Sequence, residues 1–224
     1  LTDEISDRHY VVVDGIDGKV HYADIGRIKP EALPDKGMIV SLDAVNSRDD
    51  DKQRTRLRIQ SYLTFERLAE AEGVTWLDKE LVGKAPAAIA DQGFGAEAKA
   101  ALARRRQWLI AQGLAQIDTE GRFQPTPKLF ETLRLREYQS ATQSLSRELG
   151  LSHRAPVEGE QISGTFTKTV NLALGKYAIV EKSQEFILVP WRSEMEPLRG
   201  KSIAGRTSAQ GVQWEWGPRR GLGL

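Results

Sequence analysis

The hydrophobic period of this chain changes along its length, and that change most limits the folds open to it. From Val157 onward, apolar residues recur at every second position in five short runs: Ile162–Val170, Lys176–Glu181, Glu185–Val189, Lys201–Arg206 and Val212–Trp216. Gly164, Gly175, Gly200, Gly205 and Gly211 stand near their ends. A period of two between turn residues is the pattern of half-buried strands. Five such runs within about 70 residues predict a small five-stranded β-barrel, OB-like or SH3-like, over residues 154–224. One helical turn fits Ser193–Leu198, between the third and fourth runs, and favours the OB-like form.

Between 61 and 153 the apolar spacing is helical. Thr64 is placed to cap a helix over Phe65–Glu72, ended by Gly73, and a second helix covers Thr75–Leu81. Gly95 precedes a long helix through Gln112, which Gly113 ends. Leu114–Ile117, the turn at Asp118–Gly121 and Arg122–Gln124 then read as a hairpin, and Pro125 and Pro127 precede a last helix over Lys128–Leu149. Helix, helix, hairpin is the order of a winged helix-turn-helix. Residues 1–60 read as a small β sheet or barrel. Its strands are Tyr10–Val13, Lys19–Asp24, Gly37–Leu42 and a run around Leu57 and Ile59, with the polar stretch Asn46–Gln53 as a linker or tip. The expected class is α+β in three regions: 1–60, 61–153 and 154–224.

Composition removes several function classes. The 224 residues are 40% hydrophobic and 28% charged, which is ordinary globular composition. Cys is absent, so disulfide scaffolds, thiol catalysis and Cys-ligated metals are excluded. His9, His21 and His153 have no ligand-like spacing, and Asp14…Asp17-Gly18 lacks the remaining acids of a calcium loop. No phosphate-binding loop, dinucleotide fingerprint, nucleophile elbow or zinc-protease motif occurs. No cofactor, no metal and no catalytic residue is therefore expected. No apolar run reaches the roughly 18 residues of a membrane span, and no secretion signal is visible, so a cytoplasmic location without membrane insertion is expected.

Charge is distributed unevenly. Residues 1–50 hold 11 acids against 6 bases, a net of −5, whereas residues 99–136 hold 8 bases against 3 acids, a net of +5. Residues 199–224 hold 5 bases against Glu215 alone. An anionic partner would meet the middle and the tail. The candidate nucleic-acid contacts there are Arg104, Arg105, Arg106, Arg122, Lys128, Arg134 and Arg136 in the middle, with Trp191, Arg192, Arg219 and Arg220 in the C-terminal region.

Arg105 is the anomaly among them. At 100° per residue it falls among Ala101, Leu102, Trp108 and Leu109, in the arc that must be apolar. Either its stem runs along Trp108 to a carboxylate such as Asp78 or Glu80, or this side of the helix lies on phosphates. Arg104 and Arg106 fan to either side and suit a backbone contact under both readings. Trp214 and Trp216 share a strand face and serve either as core or as stacking platforms. Trp191, in Pro190-Trp191-Arg192, leaves its strand and is the better surface candidate.

Three stretches taken together resemble a known family. They are DRHYVVVDGIDGKVHYADIG (Asp7–Gly26), GVTWLDKELV (Gly73–Val82) with ALARRRQWLIAQGLA (Ala101–Ala115), and GKYAIVEKSQEFILVPW (Gly175–Trp191). In this order they resemble the large uncharacterised domain that follows the nuclease domain in conjugative relaxases of the MobA/VirD type, the mobilization nucleases. Between Val45 and Tyr62 that family carries a longer, largely helical insert, where this chain has only NSRDDDKQRTRLRIQS between them. The resemblance implies a non-catalytic part of a plasmid-transfer protein. It would bind DNA at the transfer origin or on the transferred single strand, or dock on relaxosome, coupling or type IV secretion proteins. The family's Tyr nucleophile and His-ligated metal have no counterpart here.

Overall fold

The computed structural model of the chain describes residues 2–3, 8–45, 54–83, 88–173, 175–208 and 211–215. It is a mixed α+β protein whose contacts separate into two compact units, 1–138 and 139–224.

In the first unit, β1 (Thr2–Asp3), β2 (Arg8–Asp14) and β3 (Val20–Gly26) form an antiparallel sheet in that order. β4 (Met38–Val45) and β5 (Arg54–Thr64) form a second, with Val45 opposite Arg54. The two expected runs at Gly37–Leu42 and around Leu57 are thus the arms of one long hairpin. The stretch 46–53 between them lies outside the described residues. β3 runs beside β5. On β2 and β3 the alternation of side chains puts Tyr10, Val12 and Asp14 on one face with Val20, Tyr22 and Asp24. That face is open to solvent: Val12, Val20 and Tyr22 are 59%, 68% and 63% exposed. Tyr10 and Tyr22 stack across it at 5.3 Å and 11°.

The helical part follows. α1 (Phe65–Leu68) is a single turn, shorter than the expected Phe65–Glu72. The chain leaves the helix there because the carbonyls of Ala69, Ala71 and Gly73 turn toward a buried guanidinium, as set out below. α2 (Trp76–Val82) starts at Thr75, whose N–H and Oγ1–H donate to Asp78 Oδ2 at 2.7 and 3.0 Å. α3 (Gly93–Ala111) ends at Gly113, and β6 (Ala115–Ile117) with β7 (Phe123–Pro125) makes the hairpin. α4 (Leu129–Leu149) closes the series. Val74, Leu109, Leu114, Ala115, Leu129 and Leu133 are buried together, with Trp108, Phe123 and Phe130 packed on them. Each fully buried Leu here contributes about 1.5–3 kcal/mol relative to exposure, and this cluster fixes α3, the hairpin and the start of α4 to one another.

The second unit holds β8 (Ser152–His153), β9 (Gln161–Leu172), β10 (Gly175–Lys182), β11 (Glu185–Pro190), β12 (Ser202–Ser208) and β13 (Gly211–Trp214). All five expected strands form, and Ser193–Leu198 is a 3-10 turn between β11 and β12. The closed five-stranded barrel does not. The strands make one open six-stranded sheet in the order β13-β12-β9-β10-β11-β8. β8, a two-residue strand with no periodicity to betray it, joins β11 in parallel. β13 and β11 approach each other, but no ladder joins them among the described residues. The sheet nevertheless coils around its own apolar face, where Ile162, Phe166, Val180, Val189, Ile203 and Trp214 are buried. The coil is tight at two strand glycines. A Cβ on Gly164 would meet Glu181 O at 2.5 Å, and one on Gly205 would meet Gln213 O at 2.6 Å.

Candidate nucleic-acid interface

The three consecutive arginines of α3 have three different surroundings. Arg105 lies in the buried stripe of the helix with Ala98, Ala101 and Leu109, and is 0% exposed. Its Nε donates to Asp78 Oδ1 at 2.7 Å and its Nη2 to Asp78 Oδ2 at 2.9 Å, a two-pronged pair with a carboxylate that is itself fully buried. The remaining donors reach Ala71 O (2.5 Å), Gly73 O (2.9 Å) and Ala69 O (3.4 Å), and Trp108 lies under the guanidinium at 4.4 Å. A carboxylate, three carbonyls and an aromatic face satisfy the planar fork on all sides. Arg105 therefore cannot reach a phosphate, which corrects its place among the nucleic-acid contacts. It holds α3, α2 and the 69–73 turn in one arrangement instead.

Arg106 is committed to the hairpin. Its Nη2 donates to Gly121 O at 3.2 Å and its guanidinium lies 5.7 Å from the Phe123 ring. Arg104 is exposed and makes no ion pair among the described residues. One triplet thus fastens the helix to its core, fastens the hairpin to the helix, and presents one cation to solvent.

The hairpin tip is built on Asp118. Its carboxylate accepts the backbone N–H groups of Arg122 (2.8 Å) and Glu120 (2.9 Å), Arg122 Nε (2.8 Å) and Gln124 Nε2 (3.2 Å). The Arg122 N–H and then the Arg122 guanidinium hold the Asp118 carboxyl below its ordinary value of 3.8. Arg122 also pairs with Glu120 at 3.0 Å, so it stands between two carboxylates and the tip offers phosphate no net positive charge. Because the folded-state pKa is depressed, the support Asp118 gives the tip is present above the ordinary carboxylate pKa. It is lost as pH falls through the lower folded value. Acid titration followed by NMR is expected to release the Glu120 and Arg122 amides together, and Asp118→Asn, which keeps one acceptor oxygen, to blunt that step.

Of the other basic candidates, Lys128 and Arg134 are exposed and form no ion pair among the described residues. Arg136 donates to Gln112 Oε1 at 3.2 Å. In the second unit Trp191 is half-buried against the core, with Arg192 exposed beside it. Trp214 belongs to the core, which leaves it no open face for a base. Trp216, Arg219 and Arg220 lie outside the described residues. Of the sequence-derived basic candidates, Arg104, Lys128 and Arg134 in the first unit and Arg192 in the second are exposed and outside any ion pair among the described residues, where no group of metal-ligating side chains occurs either.

Sequence reasoning missed two features, one in each unit. Lys176, at the start of β10, lies over the Trp191 ring, and nothing in its spacing announces that. The open β2–β3 face was legible as a stripe, Val20 with Tyr22, but alternation alone does not say which face meets water.

The chain matches the family described as protein of unknown function DUF3363 in two stretches, residues 1–53 and 44–223. The stretches overlap over 44–53, so the match breaks where the polar run joins β4 to β5. No curated protein and no solved structure matches significantly. The two stretches together span nearly the whole sequence, and the chain belongs to the DUF3363 family.

Proposed function

We propose that this chain is a non-catalytic DNA-binding accessory region, of the kind that follows the nuclease domain in conjugative relaxases. In this reading it grips origin duplex or the transferred single strand in a bacterial cytoplasm. The observation that carries the proposal is the arrangement of α3: a helix locked by Arg105–Asp78, fastened to the following hairpin by Arg106, and bearing Arg104 outward. A rigid helix followed by a hairpin is a winged-helix-like way to lay cations along a phosphate backbone. Lys128 just before α4 and Arg134 on it supply further charge that no carboxylate among the described residues takes up.

Equilibrium binding of the purified chain to duplex and single-stranded oligonucleotides at low salt tests the reading. Measurable affinity supports it, and no binding to either form at about 50 mM salt defeats it. The chain is also expected to leave supercoiled and single-stranded DNA uncut with Mg²⁺ or Mn²⁺, since its three His residues lack ligand-like spacing and no group of metal-ligating side chains occurs among the described residues. Metal-dependent nicking that survives purification and disappears with a single substitution would contradict that.

A second reading is favoured by one observation, the solvent-open apolar face of Tyr10, Val12, Val20 and Tyr22. A contiguous exposed apolar surface is a common mark of protein docking, and here it sits in the acidic first 50 residues. Under this reading the face meets a relaxosome, coupling or secretion protein, and substituting Val12 and Tyr22 with Ser abolishes that contact while leaving DNA affinity unchanged.

A further inference from the structure

Trp191 leaves β11 and precedes the 3-10 turn at Ser193–Leu198, and its position is fixed from three sides. Its backbone N–H donates to Lys176 O at 2.9 Å, its Nε1 donates to Glu196 Oε2 at 3.3 Å, and its ring packs on the core of the second unit. Glu196 also accepts Arg199 Nε at 3.0 Å and Nη2 at 2.6 Å, so its charge is matched while it orients the indole. The Lys176 ammonium lies 4.1 Å from the ring centroid. Arg192 and Lys201 stand nearby in the chain, exposed and without an ion pair among the described residues, against the single exposed acid Glu194 of the turn.

We propose that Trp191, with Lys176 and Arg192, is a stacking site for one unpaired nucleobase of single-stranded DNA; the proposal rests on the reading of the chain as a DNA binder. A tethered lysine over an indole at a partly exposed site is a weak contact. A nucleobase gains more by stacking on such a ring than the ammonium loses by leaving it. Displacement leaves the Lys176 ammonium on its flexible stem beside the strand it has made room for, where it pairs with a phosphate. Arg192 follows Trp191 directly and can take the adjacent phosphate. The indole is held before the base arrives, so little side-chain freedom is lost on binding. Bases in a duplex are already stacked and offer no free face, so the site selects unpaired DNA.

The test uses the full chain and three labelled probes: an oligothymidylate of roughly 15 nucleotides, an abasic strand of the same length, and a duplex. Trp191→Ala is expected to weaken oligothymidylate binding roughly tenfold and to leave the abasic strand and the duplex as they were. Trp191→Leu, which keeps the apolar cover over the core but has no π face, is expected to lose as much. Trp191→Phe should keep most of the affinity. Lys176→Ala should flatten the single-strand salt slope by about 0.7. If Trp191→Leu leaves oligothymidylate affinity intact, or lowers abasic binding equally, the stacking site is refuted while the DNA-binding reading stands. If the wild-type chain binds none of the three probes, the DNA-binding reading fails and this site with it.

Discussion

Replacing Arg105 with Ala is expected to lower the stability of the first unit by about 3–5 kcal/mol, the cost of leaving a buried carboxylate without its cation. Asp78 would remain fully buried with only the Thr75 donors to satisfy it, and the carbonyls of Ala71 and Gly73 would lose the partner that draws them out of helical geometry. Arg105→Lys should recover little. An ammonium cannot reproduce two parallel bonds to Asp78 together with those to the carbonyls. The paired change Arg105→Met with Asp78→Leu should do better than either single substitution, because it removes both charges at once. Urea unfolding at neutral pH reads all of these variants. A midpoint for Arg105→Ala within experimental error of wild type would mean that the pair does not hold α3 in place.

That pair also shows how far the sequence alone can reach. A 100° step places Arg105 on the apolar arc, and Asp78 follows as one of two candidate partners, so the core role of this arginine was legible. The fate of its neighbours was not. Arg106 looked as free as Arg104 until the hairpin folded back and offered Gly121 O and Phe123. The strands of the second unit were legible from their period and glycines. Whether they close was not, because closure depends on a ladder between β13 and β11 that no local pattern encodes. α1 fell short of its expected end because a long-range demand, the carbonyls turned toward Arg105, outweighed local helix propensity. The two-residue β8 carries too little sequence to show any period.

The second large effect concerns affinity. Substituting Arg104, Lys128 and Arg134 together with Ala is expected to weaken duplex binding by roughly tenfold per residue near 50 mM salt, and about equally for all sequences, since phosphates carry no base information. Each of these side chains is exposed and outside any ion pair among the described residues, so the cost in folding stability should stay within about 0.5 kcal/mol per substitution. Arg122→Ala is the internal control. Its guanidinium is already spent on Asp118 and Glu120, so it should change DNA affinity far less than Arg104→Ala. If Arg122→Ala has the larger effect, the hairpin tip, and not the outer face of α3, is the contact.

The most direct measurement is the salt dependence of duplex binding by the wild-type chain, followed by fluorescence anisotropy between about 50 and 200 mM salt. Three phosphate contacts by Arg104, Lys128 and Arg134 predict that log K falls linearly with log salt with a slope of about −2.7 or steeper, and that the triple substitution removes about that much of it. Affinity for both duplex and single strand that is absent at the lowest salt, or a slope that the triple substitution leaves unchanged, would contradict the account.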